Sequence, residues 1–174
     1  MHVVAFNGSP RKNGNTARLV RHCLDTLESE GISTEMVQVG GTNIRGCCSC
    51  LSCRKKAVEV CAITSDPFNE WIEKMKNAEG IILASPVYMF GTTPEMKALI
   101  DRASFIARGR VRRGEQGSMF YRKVGGAISA VRRAGAIQAL QTMISMFAVT
   151  QMVVPMSNYW TFGMGEAPGE VEKD

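Results

Sequence analysis

The 174-residue sequence predicts an α/β fold, a doubly wound five-stranded parallel sheet covered by helices on both faces. Three observations carry that expectation. Short apolar runs alternate with longer segments whose apolar residues recur at helical spacing. A polar loop, NGSPRKNGNT at residues 7–16, follows the first apolar run and opens the first helical segment. Glycine and proline punctuate the remaining boundaries, at Gly31, Gly40-Gly41, Pro86 and Pro94.

Residues 2–6 (HVVAF) are apolar and partly β-branched, as in a buried strand. Residues 15–30 carry Leu19, Val20, Cys23, Leu24 and Leu27 on one helical face, and Gly31 closes them. Residues 33–39 form a second strand ending at Gly40-Gly41. The cysteine-rich segment 42–64 has no clear period, and Ser65 or Asp66 caps a helix running through Lys76. Residues 80–85 (GIILAS) are a fully apolar third strand, and Pro94 opens a helix through Ile106. After a basic loop come a fourth strand at 124–130, a helix at 135–149 and a short fifth strand at 152–155. The tail, 156–174, is rich in Gly and Glu and reads as nearly unstructured. A doubly wound sheet usually ends with a helix, so either a further helix follows or another subunit covers that face. The whole of 1–174 reads as a single domain carrying a cysteine insertion and a tail.

Hydrophobic content of 45% with 21% charged residues is ordinary for a globular protein. No apolar run approaches the roughly 18 residues of a membrane span, and the N-terminus enters a strand without a basic leader, which points to a cytoplasmic protein. A net charge of +5 fits an anionic cofactor or an acidic protein partner and is no nucleic-acid signature. The two histidines, His2 and His22, offer no Ser/His/Asp or Cys/His hydrolytic arrangement, and no paired-carboxylate site is visible. The chemistry is expected to come from cofactors that the protein positions and tunes.

In a parallel sheet of this kind ligands bind beyond the carboxyl ends of the strands, so the informative loops begin at Asn7, Pro86 and Val131. Backbone N–H groups and the helix dipole at such a strand-to-helix turn attract an anion. Gly8 and Gly14 permit tight turning; Ser9, Asn13, Asn15 and Thr16 supply short donors; Arg11 adds a fork suited to phosphate oxygens. The ATP-type loop does not match, because five residues separate the glycines and Asn15 stands where a lysine belongs. The dinucleotide fingerprint GxGxxG is absent as well. The bland alternative is a polar turn leading into a well-capped helix.

Five of six cysteines lie between Cys47 and Cys61. Cys47, Cys50, Cys53 and Cys61 form C-x2-C-x2-C-x7-C, in which successive thiolates can wrap one compact inorganic core and a distant fourth can close it. A [4Fe–4S] cluster, a four-cysteine zinc site and a dithiol/disulfide pair are all compatible with such thiols. Cys48, one residue from Cys50, has the wrong gap for a ligand, and Cys23 falls on an apolar helix face as a small core residue.

The GSPRKNGNT loop, SPVY at 85–88 and KALIDR at 97–102 closely resemble the NADPH-dependent FMN reductase and iron–sulfur flavoprotein branch of flavodoxin-like proteins. The resemblance extends from Met1 to about Trp160. It implies a three-layer αβα sandwich with strand order 2-1-3-4-5 and the cysteine-rich loop after strand 2. It implies that Ser9, Arg11, Asn13, Asn15 and Thr16 hold the phosphate of FMN. Pro86, Val87, Tyr88, Phe90 and Gly91 would run beside the flavin, and Ala130, Val131, Arg132 and Gly135 would belong to a third contact loop. It also implies a [4Fe–4S] cluster on Cys47, Cys50, Cys53 and Cys61. NAD(P)H or a ferredoxin-like carrier is the expected redox partner, a small-molecule acceptor is compatible, and a homodimer or homotetramer is the expected assembly. A cluster-free NAD(P)H-dependent FMN or quinone reductase with redox-active cysteines is the alternative.

Several further residues invite a role. Arg108, Arg110, Arg112 and Arg113, with Lys123, form a positive stretch that is either a solvated loop or a docking surface for an acidic electron carrier or a nucleotide phosphate. Arg132 and Arg133 stand where they would favour a reduced, anionic flavin. Arg54, Lys55 and Lys56 beside the cysteines read as solvated, and Met143 and Met146 as core or subunit interface.

Overall fold

A computed structural model describes residues 1–56, 58–157 and 159–174, so position 57 of the cysteine segment and position 158 of the tail lie outside the description. Its sheet is parallel, five-stranded and ordered β2-β1-β3-β4-β5, as expected. The strands are β1 (His2–Asn7), β2 (Ser33–Gln38), β3 (Gly80–Pro86), β4 (Val124–Val131) and β5 (Phe162–Met164). Among the described residues no helix is long and apolar enough to cross a membrane.

The central strands are buried on both faces, and their side chains divide by alternation. Val4, Phe6, Ile81 and Leu83 face one way, into the larger core, where they meet α3 (Phe68–Asn77), α4 (Pro94–Ala107) and α6 (Ala136–Val149). Ala5, Ile82 and Ala84 face the other way, against Val20 and Leu24 of α1 (Asn15–Ser29). Each fully buried Phe or Leu of this kind contributes about 1.5–3 kcal/mol. Met143 and Met146 of α6 are fully within the larger core. Cys23 is half-buried against the smaller one, where burial pushes its thiol up.

The C-terminal third departs from the sequence reading. The segment expected as the fifth strand, 152–155, makes only a parallel bridge from Val153 to Val124 before Pro155, which has no N–H to extend a ladder. The chain leaves the sheet and returns at Phe162–Met164, pairing with Ser129–Val131. The tail expected to lack structure thus supplies β5 and then a 3-10 helix, Glu170–Lys173, packed on α1. That short helix packs against α1 after β5. The side chain of Asn15 secures it, donating to the Ala167 carbonyl (3.0 Å) and accepting from the Gly169 N–H (2.7 Å). The expected basic loop after α4 contains a short helical turn, α5 (Gly109–Arg112).

Candidate functional site

The loop after β1 is held by a buried polar network. The Asn7 side chain, fully buried, accepts from the Ser9 N–H (3.1 Å) and donates to Gln38 (2.9 Å). Gln38 in turn donates to the Ser9 carbonyl (2.6 Å) and the Gly40 carbonyl (2.7 Å). From the far side the buried Thr93 hydroxyl donates to the Gly8 carbonyl (2.9 Å) while the Thr93 N–H donates to Ser85 Oγ (3.0 Å). Buried groups paired this fully fix a backbone conformation, because breaking any bond strands its partner. Gly40 approaches so closely that a Cβ there would lie 2.3 Å from the Gly8 oxygen and the Ser9 carbonyl carbon.

The loop then delivers the chain into α1 with Gly14 at the cap position, no side-chain cap and no acidic residue in the first turn. The first-turn N–H groups have no intrahelical acceptors and are available to an anion. By contrast α4 is capped by Thr93, whose hydroxyl also accepts from the Met96 N–H (3.4 Å).

Ser9, Arg11, Asn15, Thr16, Pro86, Val87, Tyr88, Ala130 and Arg132 line one cleft of about 340 Å3 at the carboxyl ends of β1, β3 and β4. Two residues of the tail, Gly165 and Glu166, join them. Val87, Phe90, Val131 and Arg132 line an adjoining depression. Tyr88 and Gly91 close a tight turn through two mutual backbone hydrogen bonds of 2.9 Å, with Met89 and Phe90 in the left-handed region (φ 43° and 61°). That turn leaves Tyr88, Met89 and Phe90 projecting to solvent at the cleft rim. Gly135, also left-handed (φ 95°), caps α6 where a Cβ would lie 2.9 Å from Val87 and 3.0 Å from Phe90. Asn13 is not drawn into the cleft, since its side chain accepts from Arg21 (2.8 Å). Arg132 spans to Glu166 (2.7 Å), an exposed pair of small energetic weight.

The sequence reading gave no role to Gln38 or Thr93, read Gly40-Gly41 as ordinary strand termination, and named Asn7 and Ser85 only as the first residues of the polar loop and of the SPVY run.

The second site lies between the cysteine segment and α4. Cys47, Cys48, Cys50, Cys53 and Cys61 line one cavity with Ile63, Arg102, Phe105 and Ile106. Cys47, Cys48 and Cys50 are exposed, Cys53 and Cys61 half-buried. Burial is the main influence raising the Cys53 thiol, reinforced by the neighbouring sulfurs of Cys61, Cys47 and Cys50. Hydrogen bonds from the Ser52 N–H and hydroxyl lower the Cys50 thiol. Among the described residues no three Cys, His, Asp or Glu side chains converge on a common metal position. The donor chemistry suits a cluster nonetheless: thiols from two stretches of one segment face one cavity, and among the described residues the Arg102 Nε in its wall has no partner.

The cavity wall is firmly built. Arg102 and Asp66 pair at 2.6 Å with both side chains 1% exposed, and the Asp66 carboxylate also accepts from the N–H groups of Arg45 (3.0 Å) and Phe68 (3.2 Å). Burial opposes the Asp66 charge, but Arg102 and those N–H groups hold its carboxyl below the usual aspartate range. The positive stretch is largely engaged from within. Arg110 pairs with Glu59 (2.5 Å), Arg113 with Glu115 (2.7 Å), and Arg112 stacks on Phe105 at 4.7 Å. The hydrogen bond from Arg110 foremost, with that from Lys76, brings the Glu59 carboxyl down to about 2 against the opposing effect of burial.

The model for the NADPH-dependent FMN reductase family matches residues 1–167. An iron-sulfur flavoprotein of Methanocaldococcus jannaschii is 35% identical over 181 residues, spanning 100% of this chain and 88% of that one. An iron-sulfur flavoprotein of Methanosarcina thermophila is 30% identical over 172 residues, spanning 98% and 85%. Among solved structures, the apo form of an NADH:FMN oxidoreductase superposes with a TM-score of 0.62 at 17% identity, covering 92% of this chain and 75% of that one. An archaeal flavodoxin superposes with a TM-score of 0.61 at 11% identity, covering 99% and 90%. At such identities the structures speak for the fold, which is flavodoxin-like. With the uncapped α1 terminus facing the cleft and the family match spanning all of it, the chain belongs to the NADPH-dependent FMN reductase family, a family of FMN-binding, flavodoxin-like oxidoreductases.

Proposed function

We propose that the chain is an electron-transfer iron–sulfur flavoprotein that binds FMN in the cleft after β1 and a [4Fe–4S] cluster in the cysteine cavity. The observation that carries the proposal is one helix serving both places. The first residue before α4, Thr93, holds the phosphate loop, and Arg102, Phe105 and Ile106 of the same helix wall the cysteine cavity. The cluster would supply single electrons, and FMN exchanges one or two of them with a second partner.

Within this reading the N–H groups at the start of α1, with Ser9, Arg11 and Thr16, hold the phosphate. Asn13 and Asn15 contribute backbone there, their side chains being tied to Arg21 and the tail. Pro86, Val87 and Tyr88 flank the flavin from one side and Ala130 to Arg132 from the other. Gly91 and Gly135 keep the Tyr88–Phe90 turn in place. Cys47, Cys50, Cys53 and Cys61 ligate the cluster, and Cys48 does not. The chain is one FMN-binding domain with the cysteine segment as an insertion. Its partners are a ferredoxin-like carrier or NAD(P)H, and it works as a homodimer or homotetramer in the cytoplasm. The names of the two methanogen relatives support the cluster.

A cluster-free NAD(P)H-dependent FMN or quinone reductase is the second reading. Ser52 favours it, since its hydrogen bonds promote the Cys50 thiolate needed for dithiol chemistry. The visible spectrum of anaerobically purified protein, with iron and sulfide analysis, separates the two. Flavin bands with a broad iron–sulfur shoulder and about four irons per chain are expected. Flavin without iron supports the second reading, and absence of flavin overturns both. Cys53→Ser is expected to lose iron and keep FMN; a Cys53→Ser protein that retains its iron reassigns the ligands.

A further inference from the structure

We propose that Arg102 is the positioning residue of the cysteine cavity, donating its Nε–H to sulfur of the group held there while bracing both ends of the cysteine segment. The inference rests on the cluster reading above.

Among the described residues, Arg102 is the one charged side chain lining the cavity, and it is 1% exposed. Its Nη1 donates to Asp66 (2.6 Å) and to the Arg45 carbonyl (3.0 Å), and its Nη2 donates to the Ile63 carbonyl (3.2 Å). Arg45 lies two residues before Cys47, and Ile63 two residues after Cys61. One guanidinium therefore clamps the two ends of the cysteine segment to α4, with its face on the Phe68 ring at 4.0 Å. Among the described residues, Nε is the one of its nitrogens with no hydrogen-bond partner. Buried N–H donors are nearly always satisfied, so an orphan beside a ring of thiols points to a sulfur acceptor. Burial works against the Arg102 charge, while Asp66 and the Cys61 sulfur more than offset it and hold the guanidinium firmly protonated.

The ion pair with Asp66 neutralises the net charge, which leaves the directed N–H as the group that tunes the site. N–H donors to cluster sulfur stabilise the more negative, reduced state and raise the midpoint potential. Lysine in place of Arg102 keeps the charge but loses the fork and the Nε–H. In the anaerobically purified holoprotein, Arg102→Lys is expected to shift the cluster midpoint to a more negative value. It should also release iron to a chelator at least about tenfold faster, in line with the usual cost of losing an outer contact, while retaining FMN. An unmoved midpoint with unchanged iron release and full FMN overturns the inference.

Should Arg102→Lys fail to fold, wild-type protein carrying arginine labelled with 15N at Nε alone, which leaves the backbone N–H of Arg54 beside Cys53 unlabelled, decides. Pulsed EPR of its reduced cluster is expected to show a 15N hyperfine coupling, and its absence overturns the inference. Iron missing from the wild type itself overturns the cluster reading and this inference with it. Iron present with a negative result here overturns the inference alone.

Discussion

Placing a methyl group behind the phosphate loop tests how the cleft is built. In Gly40→Ala the new Cβ would lie 2.3 Å from both the Gly8 oxygen and the Ser9 carbonyl carbon, and 2.5 Å from the Ser9 oxygen. Carbon contacts settle near 3.5–4.0 Å, so one of two backbone segments must give way by about 1 Å. All three atoms are backbone, and no flexible side chain can swing aside. The loop is pinned at the same time by Asn7, Gln38 and Thr93, so the strain cannot dissipate without breaking a buried hydrogen bond. Overpacking of this kind costs about 1–3 kcal/mol, or about 2–12 °C in melting temperature at this chain length. With FMN bound as proposed, moving the loop also removes at least one charge-assisted bond to the phosphate, about 1.5–3 kcal/mol, which should weaken FMN binding by about 10- to 150-fold. Quenching of flavin fluorescence on titrating apoprotein measures the binding constant, and a thermal melt of the same sample measures stability. Gly46→Ala, where nothing lies within 4 Å of the new Cβ, is the control and should change neither. A Gly40→Ala protein that binds FMN within twofold of wild type and melts unchanged refutes the argument.

Asn15→Ala removes both bonds to the tail, so limited proteolysis should cleave the segment after Met164 several-fold faster; an unchanged rate means the tail is held otherwise. Asp66→Asn leaves Arg102 buried without a counter-charge and should cost about 3–5 kcal/mol in a denaturant titration. Because the folded Asp66 carboxyl sits below its ordinary value of 3.8, its stabilisation is complete above that pH and is lost as pH falls through the lowered value. Wild type should therefore lose stability over that acidic range more steeply than Asp66→Asn, and parallel pH profiles would contradict the assignment. The double substitution Arg132→Ala, Arg133→Ala should lower the flavin midpoint by about 5–20 mV, and Glu166→Gln should raise it, since the exposed Arg132–Glu166 pair is worth about 0.2–1 kcal/mol. A midpoint that ignores all three changes removes these charges from the flavin's surroundings.

Much of this molecule is legible in order of its residues. The apolar runs at β1, β3 and β4, buried on both faces, have no reason to be apolar in a loop, and the sheet order accords with the family motifs. The polar loop at 7–16 declares an anion site because strand, glycines and short donors occur together. The cysteine spacing narrows that segment to a cluster, a four-cysteine metal site or a dithiol pair. Three things were not legible. β5 has a single buried residue, Gly163, so it carries no apolar alternation to detect, and the apolar run at 152–155 offered a stronger but misleading signal that Pro155 cuts short. The network of Asn7, Gln38, Ser85 and Thr93 joins residues up to 86 positions apart in numbering, and each alone is an unremarkable polar residue. The positive stretch looks free in sequence because its carboxylates, Glu59 and Glu115, come from outside it.

Sequence by itself therefore determined the fold class, through local periodicity, and the family, through the resemblance of its short motifs, and it pointed to the loop at 7–16 as a place for an anion. Tertiary structure decided what stands behind that loop, how the tail supplies β5 and packs on α1, and that Arg102 of the KALIDR run faces the cysteines. Those depend on which distant backbones pack within a few ångströms, a property of the folded chain that no short stretch of residues records.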